Sequence, residues 1–252
     1  MTDKEFTSSN QLLLGLIKKM KREGCDRSKH HQPIVEEDLV KLRQSTVMGY
    51  ASPAALQKKV YFDISYQFGR RGREGLRQLT KSSFTVKSDP KGLKYVTPNF
   101  REAEKNHAND DYQTHATMHE TPEDTENCPV RSFMFYTSKL HPGHDALFQR
   151  PKPDIPKQGP WYNNAPVGSK TLGKMMSDLS QSAGLSNRYT NHCVRATTCV
   201  QLDRAGYDTQ QIMAITGHKN EQCPQLHSTY APREGQEIYR IPCQACQQLH
   251  LP

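Results

Sequence analysis

The sequence predicts a mainly helical α+β domain with one small antiparallel β-sheet. Three observations predict it. Apolar residues recur at helical spacing in several segments, most plainly at Leu56, Val60, Ile64 and Phe68. Only one stretch, residues 83–98, alternates in the manner of strands, and it is broken in the middle by the turn sequence SDPKG. The last long part of the chain, from Gly168 to Gly217, divides into three helical segments with recognisable starts and stops.

The elements follow in order. Residues 9–22, SNQLLLGLIKKMKR, form a short amphipathic helix with a serine at its start and Gly24 after it. Pro33 opens a second helix, PIVEEDLVKLRQ, and Pro53 a third, PAALQKKVYFDISYQFGRRG, whose apolar stripe belongs to a core. The hairpin of residues 83–98 comes next. Residues 100–128 are polar and are expected as an extended loop, with room for one more strand at the front. PVRSFMFYTSKL is a helix. Pro142, Pro151, Pro153, Pro156, Pro160 and Pro166 make residues 141–168 an expected irregular region. GSKTLGKMMSDLSQSAGL and NHCVRATTCVQLDRAG are helices, the second stopped by Gly206. DTQQIMAITG is the last, opened by Asp208 with Gln211 three residues on and ended by Gly217. The tail from Ala231 has little periodicity.

Composition narrows the function. The 252 residues carry 34 Lys and Arg against 26 Asp and Glu, a net charge of +8; a basic chain of this size most often faces a polyanion, and the plain alternative is a solvated basic surface. Mean hydropathy is −0.84. The first apolar run, Leu12 to Ile17, is too short to span a membrane, no signal peptide is expected, and seven cysteines, an odd number, fit a reducing compartment. Cys243-x-x-Cys246 with His250 resembles half a zinc site, with Cys223 and His227 as the conceivable other half; a complete site needs four ligands at good spacing, and incidental cysteines in a tail are the simpler reading.

Polar residues with chemical capacity cluster at four places. These are Arg70, Arg71 and Arg73 with Glu74; Lys105 in EKNH beyond the hairpin; His192 and Arg195, three apart and so on one helix face; and His218 in TGHKN. Tyr230 lies twelve residues after His218. Taken singly each has a plain reading: a solvated basic turn, one hairpin lysine among several, a polar helix start, a histidine at a helix C-terminus, a packed tyrosine. Taken together they fit phosphoryl transfer on a diester. Two guanidiniums can hold the two non-bridging oxygens and neutralise charge that grows in the transition state. A tyrosine can be the nucleophile, a lysine can protonate the leaving oxygen, and histidines can assist proton transfer. This chemistry asks for no metal and no other cofactor. A metal-dependent hydrolase fits poorly, because arginine is not a ligand and neither H-E-x-x-H nor paired carboxylates occur.

The order Arg, Lys, His-x-x-Arg, His, Tyr resembles the tyrosine recombinases. The stretches FGRRGREGLRQLTKSSF, ENCPVRSFMFY, DALFQRPK and NHCVRATTCVQLDRAGYDTQQIMAITGHKNEQ are similar to the Crypton-type branch and to the domains vertebrates derived from it, as in zinc-finger MYM-type and glutamine-rich proteins. The resemblance covers residues 10–235. It implies a tyrosine recombinase/integrase-like catalytic domain over residues 51–235, a helical remnant of a DNA-clamping domain over 1–50, and a tail over 236–252. Arg71, which with Glu74 fits R-x-x-[ED], would be the first catalytic arginine, with Arg73 as the competing choice. Lys105 would be the general acid, His192 and Arg195 the central pair, His218 the second histidine and Tyr230 the nucleophile, with Tyr239 a distant second. Double-stranded DNA and further copies of the chain are the implied partners, with no membrane and no small-molecule substrate, and the nucleus is the implied location. A type IB topoisomerase would share the chemistry.

The chain departs from the family pattern in two ways. The tyrosine usually follows the second histidine by about nine residues, a position held here by His227, so EQCPQLHSTY carries an insertion. Only about fifty residues precede the Pro53 helix, where the clamping domain is usually larger. The alternative expectation is therefore a domesticated, inactive recombinase-derived module that binds DNA or protein.

Overall fold

The computed structural model describes residues 7–23, 31–70, 72, 75–99 and 116–217. They fall into two units, Met1–His31 and Gln32–Pro252. The first contains helix α1, Thr7–Arg22, amphipathic as expected, with an ion pair of 3.8 Å between Lys19 and Glu23.

The second unit begins with α2, Glu36–Gln44, and α3, Pro53–Gln67. Ser52 caps α3 by accepting from the Ala55 N–H at 3.1 Å, with Pro53 at the first helical position, where a missing N–H costs nothing. The predicted stripe is at the centre of the molecule: Leu56, Val60 and Ile64 are fully buried. Tyr61, Phe62 and Tyr66 are buried too, so α3 is surrounded on every side.

A short 3₁₀ turn, Lys81–Ser83, leads into strands β1, Phe84–Ser88, and β2, Lys94–Pro98, paired antiparallel from Phe84↔Pro98 to Ser88↔Lys94. The hairpin turn is held by the Asp89 carboxylate, which accepts from the N–H groups of Lys91 and Leu93 at 2.8 and 2.9 Å. β3, Met118–His119, adds to the other edge of β2. It lies at the back of the polar stretch 100–128, not at its front, and two residues are too few to leave a periodic signal. Lys105 falls in the connection between β2 and β3 and is outside the described residues.

Helix α4, Pro129–Ser138, follows. The proline-rich stretch is more regular than expected: β4, Gln149–Pro151, pairs antiparallel with β5, Tyr162–Pro166, across a bulge. The prolines are compatible with this pairing because Pro151 and Pro166 end their strands, while Pro153, Pro156 and Pro160 lie in the connection between them. Tyr136 and Tyr162 meet edge to face at 4.9 Å beneath these strands. Their hydroxyls donate to the carbonyls of Leu147 and Pro53.

Helices α5, Ser169–Ser182, α6, Asn191–Arg204, and α7, Thr209–Thr216, close the described chain at the expected places. Asp208 and Gln211 form the reciprocal cap of α7, and Gly217 ends it in the left-handed conformation at φ 67°. One core cluster joins α2, α3, α4, α5 and the first turn of α6, from Leu39 and Leu42 through Phe133 and Met176 to Val194.

Candidate active site

Helix α6 enters the core with its first turn. Thr190 is its cap residue, and the Thr190 N–H donates to the Cys193 sulfur at 3.4 Å. His192, in this first turn, is exposed, and Arg195, one turn on, is half-buried. Their side chains share one face, as the spacing predicted.

That face abuts the segment between α3 and the sheet. The Arg195 guanidinium donates from Nη1 to the Gly69 carbonyl at 3.0 Å. The Thr198 hydroxyl, one turn further, donates to the Tyr66 carbonyl at 2.7 Å. Gly72 touches His192 so closely that a Cβ on it would lie 3.0 Å from the ring carbons Cγ and Cδ2 and from the His192 backbone nitrogen. Gly69 has φ 53°, and a Cβ there would lie 2.7 Å from Cγ2 of Thr216, the last residue of α7. Two glycines thus let α6 and α7 approach one short loop.

Arg70, inside this loop, is buried, and its N–H donates to the Ser65 carbonyl at 3.1 Å. It is not a member of a solvated basic turn. Arg71, the first predicted catalytic residue, stands between Arg70 and Gly72 in sequence and is outside the described residues, as are Arg73 and Glu74. His218 follows Gly217 directly and is also outside them, together with Tyr230, Tyr239 and the Cys243, Cys246 and His250 group. Of the six predicted site residues, the described chain therefore contains His192 and Arg195. It fixes these two against Gly72 and Gly69, and Gly69 in turn lies against Thr216 at the end of α7.

Burial pushes the hydroxyls of Tyr61, Tyr136 and Tyr162 well above the ordinary tyrosine range, so ionising any of them to attack is unfavourable. Among the described residues no group of three or more His, Cys, Asp or Glu side chains is placed to hold a metal ion, and no helix is long and apolar enough to cross a membrane.

The sequence reading missed Gly69, Gly72 and Asn191 as parts of the site. Asn191 reads as a helix-start residue, yet its side chain reaches away from the helix to Gly72 and α5. The sequence signal was present in FGRRG and NHCVR, but the glycines meet residues more than a hundred positions away, and Asn191 joins Gly72, 119 positions away, to α5.

Residues 33–181 match the family described as Domain of unknown function (DUF3504), which is more than half of the chain. The chain belongs to the DUF3504 family. No curated protein matches it. Among solved structures, this DUF3504 protein is similar to XerH site-specific recombinase bound to palindromic difH substrate in a post-cleavage complex. The two are 15% identical with a TM-score of 0.52, over 80% of this chain and 50% of that one. It is likewise similar to XerH bound to difH substrate in a pre-cleavage complex, 17% identical with a TM-score of 0.51, over 79% and 50%. The chain spans about half the length of these relatives. The fold is that of the tyrosine recombinase catalytic domain.

Proposed function

We propose that this protein breaks and rejoins DNA by tyrosine recombinase chemistry, as a member of the Crypton-type branch or a domain derived from it. The observation that supports the reading best is the convergence on Gly69–Gly72. This loop, which brackets Arg71, meets His192 and Arg195 on one side, and Gly69 meets the end of α7, next to His218, on the other. Three parts of the chain that carry or adjoin in sequence a predicted site residue thereby meet.

In this reading the Arg71 and Arg195 guanidiniums hold the non-bridging oxygens of one phosphodiester, with His192 beside them. The Tyr230 oxygen attacks phosphorus and passes its proton to a histidine, His218 or His192. The bond to the 5′ oxygen breaks, and Lys105 protonates that oxygen. The products are a 3′-phosphotyrosine and a free 5′-hydroxyl. A 5′-hydroxyl from a second strand then reverses the step, so phosphodiester energy is conserved and no cofactor takes part. The DNA is double-stranded, several copies of the chain act together on it, and the work is done in the nucleus. The catalytic domain runs over residues 51–235, preceded by a clamping remnant and followed by a tail.

A second reading has its own observation. Tyr230 lies twelve residues beyond His218, with His227 at the usual distance of about nine, and a tyrosine displaced by an insertion fits a domesticated DNA-binding module that no longer cuts. The test is incubation with a pool of nicked suicide substrates, with relaxation of supercoiled plasmid alongside. Covalent adducts on a denaturing gel, absent with Tyr230→Phe, are expected from the first reading. Salt-sensitive DNA binding without any adduct would replace it with the second.

A further inference from the structure

Asn191 is 3% exposed, and its amide makes three hydrogen bonds, using both N–H donors and one position on the oxygen. Its Oδ1 accepts from the Met176 N–H at 3.0 Å. Its Nδ2 donates to the Leu172 carbonyl at 2.8 Å and to the Gly72 carbonyl. Leu172 and Met176 are four residues apart in α5, the acceptor and donor of a single helical rung. The amide therefore engages both ends of that rung as a peptide group would. Its remaining N–H goes to the loop that touches His192.

We propose that Asn191 is a positioning residue: it fixes the Gly69–Gly72 loop against His192, and so sets the separation of the two arginine-bearing segments. The first part concerns the chain alone; the consequence for phosphate rests on the recombinase reading above. Thr190 occupies the cap position of α6, which leaves the Asn191 side chain for this task. The geometry admits little else. Aspartate has no N–H to give and would set a carboxylate against two carbonyls, alanine leaves the Gly72 carbonyl without this donor and unties the loop from α5, and glutamine carries the amide a methylene too far. Gly72 completes the device, since any side chain there meets the His192 ring.

The experiment uses Asn191→Asp and Gly72→Ala, with Ser180→Ala as a control. Ser180 is equally buried, donates to the Met176 carbonyl and accepts from the Tyr189 N–H, but it is hydrogen-bonded to neither Gly72 nor His192. Each folded protein is examined by NMR for the nuclear Overhauser contact between the His192 ring and Gly72 and for the pH titration of that ring. Single-turnover cleavage of the nicked pool and DNA affinity are measured in parallel. Asn191→Asp is expected to lose the contact and move the titration. Gly72→Ala is expected to move the titration while Asn191 keeps its bonds. Both should slow cleavage about 100-fold at unchanged DNA affinity, the cost of a misplacement near 1 Å. Ser180→Ala should lower thermal stability and leave the His192 titration where it was. A retained contact and an unmoved titration in Asn191→Asp would overturn the proposal; should that variant fail to fold, an unmoved titration in Gly72→Ala would do so. If the wild-type protein cleaves nothing, the recombinase reading fails, and the two NMR measurements still decide the role of Asn191.

Discussion

Two buried polar nodes flank the start of α6, and they are built from opposite materials. At one, the Asp38 carboxylate of α2, 4% exposed, accepts from the Ser186 N–H at 3.0 Å, the Ser186 hydroxyl at 2.6 Å and the Tyr189 hydroxyl at 2.8 Å. At the other, five residues along from Ser186, the neutral amide of Asn191 joins α5 to the Gly69–Gly72 loop. Burial alone would push the Asp38 carboxyl up. The side-chain and backbone bonds from Ser186, the Tyr189 hydroxyl and the nearby Lys41 outweigh it and hold it below the ordinary carboxylate range. A fixed negative charge serves well at Asp38, where it clasps α2 onto the α5–α6 connection. Beside His192 the same charge would repel a phosphate, and there the joint is neutral. The difference teaches that this chain separates the charge that anchors the fold from the site proposed for an anion.

The contrast is broken hardest at Arg195. Arg195→Ala should reduce adduct formation by about 10²–10³-fold, the usual loss for one donor to a developing oxyanion. Single-turnover gels at saturating DNA check this, and an Asp38 variant should show no such loss per folded molecule. Asp38→Ala is the complementary break. It should cost about 3 kcal/mol of stability, because Ser186 and Tyr189 lose a charged acceptor in a buried setting, and urea unfolding reads it. Gly69→Ala should cost about 2 kcal/mol, from a left-handed φ and a contact of 2.7 Å with Thr216. Its NMR shift changes should centre on α7 and the Arg195 side chain.

The smallest effect sharpens the comparison through pH. The Asp38 carboxyl has a folded pKa below its unfolded value of about 3.9. Its contribution is therefore full above that value and is lost as pH falls through the folded pKa. The stability advantage of wild-type protein over Asp38→Asn should hold from neutral pH down to about pH 4 and shrink below it. An advantage that grows on acidification would show that the carboxylate is not held by these bonds.

Much of this was legible in the sequence where the signal is local. The α3 stripe, the Asp208–Gln211 cap and the Gly217 stop are decided by residues within a few positions of each other, and each element formed where expected. The face shared by His192 and Arg195 was legible for the same reason. β3 and β4, with two and three residues, are too short to show a period, and β4 and β5 are masked by prolines that turn out to sit at strand ends. The tasks of Gly69, Gly72 and Asn191 could not be read locally at all. A glycine in FGRRG reads as a turn residue until α6 and α7 are seen to press on it, and an asparagine before a histidine reads as a cap until its amide is found in the rung of another helix.

The measurement that tests the central claim most directly is the mapping of the covalent bond itself. The protein would be incubated with the nicked pool, digested with protease and nuclease, and the nucleotide-bearing peptide sequenced by mass spectrometry. The account predicts a 3′-phosphonucleotide on Tyr230, lost in Tyr230→Phe and strongly reduced in Arg195→Ala. A nucleotide on any other residue, or a peptide map with no nucleotide on a protein that still binds DNA, would contradict it.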